Sequence, residues 1–545
     1  MAVESFPQVN LGYATYEGVT LSNGVSQFLG MRYAAPPLKE NRFKQAVDPL
    51  MESGIVMAKE HGSVCLGVDN LAFSSAPVQL SEDCLYIDVY TPRSLQRHAS
   101  NHSGLPVMIW IQGGASVQQF NPNYNGTGII EASGDKVMVV TFNYRVGPYG
   151  FLASEELQEE GNLNIGIHDQ RAAIRWVQRH ISQFGGDPDK VTLFGTSVGG
   201  GSVLLQTLAY GGNSAIADAS DDARWNAGVA AAVYMPSFYR VEDLRFQYDQ
   251  FLKATNCTSL SCLRALDSDQ IQKSNVGRPP FPGQSALPLF PYSAVIDGDL
   301  FTDRPQAMLK AGNFSKDRPL IIGSSHTEGT IFVSQANTTT DIQSFLLTQY
   351  PDLTSDDILR ATSLYSSEPM TLPGVTVKES ELYFRLARMY GDAVFSCPAL
   401  EFAATLSQAN VPIYLFRDHI LDPVEVAAGY IVPHTWEVQA VWGPDYATQY
   451  VALEGANSYD VNKVNHPMVN LVQKYWTGFA GALGDVGLTP NSMRAKNSPI
   501  WLPYNGLDRG QRLKLQANAT RMERITSLEI EQCNFWNSVS ARTHT

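Results

Sequence analysis

A glycine-flanked serine lies at the centre of residues 191–201. Residues 191–194 are apolar or β-branched and predict a buried strand, residues 202–208 predict a helix, and Gly195-Thr196-Ser197-Val198-Gly199 lies between them. A serine on such a turn has a strained backbone, and glycines two residues away leave room for it. The turn exposes the Ser197 hydroxyl and points N–H groups of the helix N-terminus towards developing negative charge. These features indicate a nucleophile, although a Gly-x-Ser-x-Gly sequence alone also occurs by chance.

Composition restricts the classes of partner. The chain has 545 residues, is 44% hydrophobic and includes 24 Tyr, 24 Phe and 8 Trp, which is enough for a large core. A formal net charge of −14 argues against nucleic acid or an anionic membrane surface as a partner. No apolar run approaches the ~20 residues of a membrane span. Because no linker, charge run or repeat divides the sequence, we expect one domain over residues 1–545.

Cysteines and glycosylation sequons together favour a secreted protein. The six cysteines, none with metal-site spacing, are Cys65, Cys84, Cys257, Cys262, Cys397 and Cys533. The six Asn-x-Ser/Thr sequons are at Asn101, Asn125, Asn256, Asn313, Asn337 and Asn518. An even cysteine number with several sequons is typical of secreted glycoproteins, and the alternative is a cytosolic protein with free thiols. Residues 1–6 contain no signal segment, so we expect that any leader is absent from this sequence.

The order of predicted elements around Ser197 fits a parallel sheet. A hairpin is predicted for residues 19–30, with its turn at Ser22-Asn23-Gly24, and buried strands for residues 106–111 and 137–145. A helix begins near Asp169 and ends at Phe184-Gly185, before the strand that leads to Ser197. This strand–helix–strand order is the one that right-handed crossovers in a parallel sheet require.

Residues 82–86, Glu-Asp-Cys-Leu-Tyr, lead into a further strand, and the serine turn follows downstream. With these motifs the chain resembles the type-B carboxylesterases, the family of carboxylesterases, cholinesterases and secreted lipases. The resemblance implies an α/β-hydrolase fold, which is a large, mostly parallel twisted sheet with helices on both faces. It also implies insertions of helices and loops around the mouth of the active site. No cofactor or metal is expected, and the partner is a small-molecule ester.

The resemblance also supplies the base and acid that a serine nucleophile needs. Glu328 follows a predicted strand and precedes a glycine and an apolar pair, which matches the acid loop of the family. His434 has Glu437 three residues later, then an apolar run and a glycine, as in the histidine segment of the family. Glu437 is expected to hydrogen bond beside the site. The alternatives are Asp297 and Asp299 for the acid, and His419 and His466 for the base.

Further roles come from position in the family. Gly114, Ala115 and Val198 correspond to the oxyanion-hole donors, and Ala115 replaces the usual glycine with a methyl that narrows the mouth. Thr196 replaces the usual acidic residue before the serine. The implied disulfides are Cys65–Cys84, Cys257–Cys262 and Cys397–Cys533. The implied structural ion pairs are Arg42–Glu82 and Arg145–Asp169.

Substrate choice depends on weaker signals. The Cys65–Cys84 loop is short and lacks tryptophan, and Thr196 removes a carboxylate, so an acetylcholine specialist is disfavoured. We predict a secreted serine carboxylesterase; a lipase or sterol esterase is the first alternative, and a non-catalytic binding protein of this fold is the second. Six residues are candidates for walls of the ester pocket or for ordinary core: Met235, Phe238, Tyr239, Phe281, Phe290 and Tyr292. The sequence leaves the natural ester and the oligomeric state open.

Overall fold

The structure is a computed structural model of the chain. It describes residues 3–68, 78–92, 104–119, 124–212, 223–275, 280–366, 380–447, 457–483, 488–506 and 510–545. Their strands are β1 Val3–Ser5, β2 Gln8–Asn10, β3 Thr15–Glu17, β4 Val19–Leu21, β5 Val25–Arg32, β6 Ile55–Met57, β7 Val64–Cys65, β8 Leu80–Ser81, β9 Tyr86–Pro92, β10 Leu105–Ile111, β11 Met138–Phe142, β12 Gly186–Thr196, β13 Ala227–Ala231, β14 Leu320–Ser325, β15 Ile413–Asp418, β16 Gln511–Leu515 and β17 Arg521–Arg524.

The α-helices of the described residues all follow β10 in the chain. They are α1 Thr127–Ser133, α2 Gly147–Phe151, α3 Glu155–Glu159, α4 Ile165–His180, α5 Val198–Leu208, α6 Arg245–Thr255, α7 Leu260–Ala265, α8 Ser268–Ser274, α9 Pro305–Ala311, α10 Thr339–Gln349, α11 Ser355–Leu364, α12 Glu381–Gly391, α13 Cys397–Gln408, α14 Pro423–Ala427, α15 Val438–Trp442, α16 His466–Gly481, α17 Ser527–Ser538 and α18 Ser540–Thr543. None of them is long and apolar enough to cross a membrane.

Twelve strands form one mixed sheet with the order β1-β4-β5-β9-β11-β10-β12-β13-β14-β15-β16-β17. The pairs from β11 to β16 are parallel, and the pairs at both ends of the sheet are antiparallel. All residues of β11 and all but the first of β10 are buried, as is typical of parallel strands covered on both faces. This architecture confirms the predicted α/β-hydrolase fold.

The direction of strand addition changes around β10. The chain first places β11 on one side of β10 and then, after α4, places β12 on the other side. Such a switch point leaves a crevice at the carboxyl ends of the strands, where ligands bind in open α/β sheets. Ile111, at the end of β10, is paired with Gly195 of β12. The residues after Ile111 therefore lie beside Ser197.

Local predictions in the first half of the chain are confirmed. Strands β4 and β5 form the predicted antiparallel hairpin. Helix α4 is followed by a 3₁₀ turn to Phe184, and Gly185 then has the left-handed conformation (φ +91°) that ends the helical segment. β12 begins at the next residue, Gly186.

Two buried ion pairs hold the connections around the sheet. Arg42 Nη2 donates to Glu82 Oε2 at 2.7 Å, and Arg145 donates to Asp169 through Nε at 2.7 Å and Nη2 at 2.6 Å. The backbone N–H of Arg145 also donates to Asp169 Oδ2 at 3.1 Å. Because a lone buried charge is costly, these paired side chains act as scaffold, as the resemblance implies.

Three disulfides join Cys65 to Cys84, Cys257 to Cys262 and Cys397 to Cys533. This is the pairing that the family resemblance implies. The third ties α13 to α17, across a sequence separation of 136 residues. The second closes a separation of only 5 residues.

Loop length predicts that the Cys397–Cys533 disulfide contributes more stability than Cys257–Cys262. On the chain-entropy account the long loop is worth about 5 kcal/mol and the short loop about 2 kcal/mol. We expect the Cys397→Ala/Cys533→Ala variant to unfold at a clearly lower urea concentration than the Cys257→Ala/Cys262→Ala variant, as followed by tryptophan fluorescence. Equal losses in the two variants would contradict the prediction.

Candidate active site

Ser197 lies between β12 and α5 with a strained backbone. Its φ and ψ are 60° and −132°, a conformation that non-glycine residues rarely adopt. Backbone hydrogen bonds fix it, including those from Ser197 N to Ala231 O and from Tyr234 N to Ser197 O, both 3.1 Å long. The strain that the sequence predicts at this turn is therefore present, and it is held by the neighbouring strand β13.

The glycines on both sides of Ser197 permit very close backbone contacts. A Cβ atom at Gly199 would lie 2.0 Å from the carbonyl oxygen of Ile111. A Cβ atom at Gly195 would lie 2.6 Å from the carbonyl carbon of Gly199. Only glycine fits at these positions unless α5 moves away from β10, so both residues are needed for the turn.

His434 connects Ser197 to Glu328. Its Nε2 lies 2.8 Å from Ser197 Oγ, and its Nδ1 is hydrogen-bonded to Glu328 Oε2. The other oxygen of Glu328 accepts a hydrogen bond from Ser325 N at 2.5 Å. All three site side chains belong to residues that are at most 6% exposed. The structure thus joins the three predicted residues by hydrogen bonds in the order serine, histidine and glutamate, which is the order of a nucleophile, a base and an acid.

The alternative residues have other partners. The carboxylate of Asp297 accepts hydrogen bonds from Asp299 N at 3.0 Å and Phe301 N at 2.9 Å, as in a turn. His419 packs on the ring of His326, with 4.4 Å between centroids. His466 Nδ1 lies 2.9 Å from Tyr459 O. These contacts leave Glu328 and His434 as the acid and base candidates beside Ser197.

The loop after β10 lies against the serine turn. A Cβ atom at Gly113 would lie 2.9 Å from Ser197 Cβ. Gly114 and Ala115 both have positive φ, of 120° and 54°, which suits a glycine but costs an alanine roughly 1–2 kcal/mol. The predicted oxyanion donors of this loop are therefore adjacent to the nucleophile, and Val198 is the first residue of α5.

Two phenylalanines that the sequence did not indicate cover His434. The centroids of the Phe395 and Phe332 rings lie 4.4 and 5.1 Å from that of His434, and the two Phe rings are stacked at 5.3 Å. Phe395 belongs to a π-helical segment, Asp392–Ser396, between α12 and α13. Phe332 could have been found from its place in the acid loop, four residues after Glu328. Nothing in the sequence near Phe395 points to the imidazole.

A cleft lies beyond this aromatic layer. Four of the predicted wall residues line it: Met235, Tyr239, Phe281 and Phe290. Phe290 packs edge-on against Phe332, with 5.7 Å between centroids. Phe238 and Tyr292 are outside the lining, and Phe238 is core that packs against Phe301. The cleft is thus one aromatic layer from His434.

Thr196 and Glu437 are joined on the buried side of the site. The Thr196 hydroxyl donates to Glu437 Oε1 at 2.5 Å. Glu437 is 1% exposed and precedes α15. The sequence places Glu437 near His434, but the hydrogen bond between Glu437 and Thr196 is visible only in the structure.

The sequons differ in exposure. The side chains of four of them are exposed, namely Asn256, Asn313, Asn337 and Asn518, whereas Asn125 is half-buried. Asn101 lies outside the described residues, as do residues 69–77 of the Cys65–Cys84 loop. Four sequons are therefore accessible for glycosylation.

The fold, the strained serine turn and the residues that meet it define an α/β-hydrolase. The sequence profile of the carboxylesterase family matches residues 5–536. The chain belongs to this family and is a carboxylic ester hydrolase.

Solved and curated relatives agree with that assignment. The crystal structure of EstA from Aspergillus niger is similar, with a TM-score of 0.89 and 36% identity, and the match covers 99% of both chains. Secreted lipase 4 of Gibberella zeae is 27% identical over 96% of this chain and 92% of its own. Lipase 2 of Geotrichum candidum is 30% identical over 75% of this chain and 79% of its own.

The close contact at Gly199 predicts a large effect of a single methyl group. Gly199→Ala places Cβ against Ile111 O, so α5 must move and the serine turn must open. We expect activity on p-nitrophenyl acetate to fall at least about 100-fold, as misplacement of a reacting group by ~1 Å does. Full activity with an unchanged melting temperature would show that the turn tolerates the methyl.

Proposed function

We propose that the protein is a secreted serine carboxylesterase in which Ser197, His434 and Glu328 form the catalytic triad. The hydrogen-bonded chain from Ser197 Oγ through His434 to Glu328 carries the proposal. Such a chain activates a hydroxyl that is otherwise a weak nucleophile.

The reaction follows from the roles of these groups. Ser197 Oγ attacks the ester carbonyl while His434 Nε2 accepts its proton, and Glu328 stabilises the imidazolium and fixes its orientation. His434 then protonates the leaving alcohol, and an acyl-enzyme remains on Ser197. Water attacks the acyl group with the same base, and the carboxylic acid is released.

The charged oxygen of each tetrahedral intermediate needs fixed donors. The backbone N–H groups of Gly114, Ala115 and Val198 are the proposed donors, since their loop and helix end lie against Ser197. Each such donor is worth ~3–4 kcal/mol to the transition state. Because the backbone holds these N–H groups in place, they need not reorganise when the charge develops.

The aromatic residues near the site support short or aryl acyl groups as substrates. Tyr239, Phe281 and Phe290 are among the walls of the cleft beyond Phe332 and Phe395, and their apolar, aromatic character suits a small apolar group. The alternative, a lipase for long-chain esters, is supported by the names of the Gibberella and Geotrichum relatives. Activity that rises sharply above the solubility limit of the substrate would favour the lipase.

Secretion is supported by chemistry and by one relative. All six cysteines are paired in disulfides, which persist in oxidising compartments. Asn256, Asn313, Asn337 and Asn518 are exposed sequons, and the Gibberella relative is named a secreted lipase. We expect a mass loss when the expressed glycoprotein is treated with an N-glycosidase.

Replacement of the nucleophile should nearly abolish turnover. We expect Ser197→Ala to reduce kcat for p-nitrophenyl butyrate by up to about 10⁶-fold, because loss of one triad member disables the unit. Ser202→Ala, in the helix after the turn, is the control and should keep activity within an order of magnitude. Near wild-type turnover in Ser197→Ala would remove Ser197 from the mechanism.

The acyl-chain preference should change when the cleft is enlarged. Phe290→Ala removes a ring from the wall of the cleft. We therefore expect the ratio of kcat/KM for p-nitrophenyl octanoate to kcat/KM for p-nitrophenyl acetate to rise about tenfold, which is the scale of one or two methylene contacts. Leu287→Ala, an exposed residue of the same segment, is the matched control. An unchanged ratio in Phe290→Ala would place the acyl group elsewhere.

A further inference from the structure

Glu437 is a buried carboxyl with no ion pair among the described residues. Thr196 Oγ1 donates to its Oε1, and its Oε2 is buried without a hydrogen-bond partner in that part of the chain. The residue is 1% exposed. An unpaired carboxylate in such a place costs several kcal/mol, whereas a protonated carboxyl does not carry this cost.

Other acidic groups lie near Glu437 on neighbouring segments. Glu328 faces it from the loop after β14, and Asp418 from the end of β15; the phenol of Tyr459 lies near both Asp418 and Glu437. Burial, helped by the charge of Glu328, raises the pKa of Glu437 to about 7. Burial and Glu437 also raise the pKa of Asp418 well above its ordinary value. Neighbouring carboxyls of this kind cannot all ionise.

Glu328 is the carboxyl best suited to carry charge. It receives hydrogen bonds from Ser325 N and from the His434 ring, and both favour a carboxylate. A second negative charge in the same buried site would have no cation to balance it, and an unbalanced buried charge is costly. Thr196, in place of the acidic residue usual in the family, adds no charge next to Ser197.

We propose that Glu437 is a positioning residue that works as a neutral acid: it anchors Thr196, and with it the nucleophile turn, without a second charge beside His434. This inference rests on the proposed triad. The hydroxyl of Thr196 gives Glu437 a partner on the backbone segment that carries Ser197. A neutral carboxyl keeps that anchor while Glu328 alone balances the imidazolium.

If Glu437 works as a neutral acid, replacement by the neutral amide Gln should preserve activity, whereas replacement by an apolar residue should not. Glu437→Gln keeps the shape and a carbonyl acceptor for Thr196, so we expect kcat/KM within about threefold of wild type at pH 6 and the same acid limb of the pH profile. Glu437→Leu and Thr196→Val remove the bond, and each should lower kcat about 10- to 100-fold with little change in KM. Thr196→Ser restores the hydroxyl and should restore kcat.

Three controls separate the possible failures. Active-site titration with a fluorophosphonate normalises kcat to folded enzyme in every variant that keeps Ser197. At pH 6, below the pKa of about 7, the wild type minus Glu437→Gln infrared spectrum should contain the carbonyl stretch of a protonated carboxyl. Ser197→Ala, measured alongside, tests the triad itself, and activity in that variant would overturn the proposed function independently of Glu437.

Two results would overturn the inference while leaving the triad intact. An acid limb shifted to lower pH in Glu437→Gln, with kcat reduced as far as in Glu437→Leu, would mean that Glu437 acts as a charge. Wild-type kcat in Glu437→Leu and Thr196→Val would mean that the bond positions nothing.

Discussion

The close backbone contact between β10 and the start of α5 is the constraint on which the site depends. Gly199 lies against the Ile111 carbonyl with no room for a side chain, and Gly195 pairs with Ile111 in the sheet. This contact presses the serine turn against the loop after β10. Backbone packing alone therefore sets the distance from the Ser197 hydroxyl to the N–H groups proposed to stabilise the oxyanion.

A second constraint is electrostatic. His434 is buried under Phe332 and Phe395, and a low-dielectric cover strengthens its hydrogen bonds to Ser197 and Glu328. The same cover makes any unbalanced charge expensive. Because an unbalanced charge is expensive here, few groups in the site can be ionised. A neutral Glu437, as proposed, agrees with this requirement.

The sequence predicts the parts of this architecture that depend on local chemistry. The strand, turn and helix around Ser197 follow from glycine spacing and apolar runs, and Glu328 and His434 follow from the motifs of the family. The contact of Phe395 with the imidazole and the bond from Thr196 to Glu437 were not predictable. Each joins residues far apart in the chain, through a π-helical segment or a buried side chain, and no short sequence pattern encodes such a meeting.

The central claim is that the ester is cleaved through an acyl-enzyme on Ser197. Rapid quench of the wild-type enzyme with p-nitrophenyl butyrate, followed by peptide mass spectrometry, tests it directly. We expect a butyryl adduct on the peptide that contains Ser197, formed with a burst of p-nitrophenol and then lost at the rate of turnover. The test applies when a step after acylation limits turnover. Under that condition, steady hydrolysis with no burst and no adduct on that peptide would contradict the proposal.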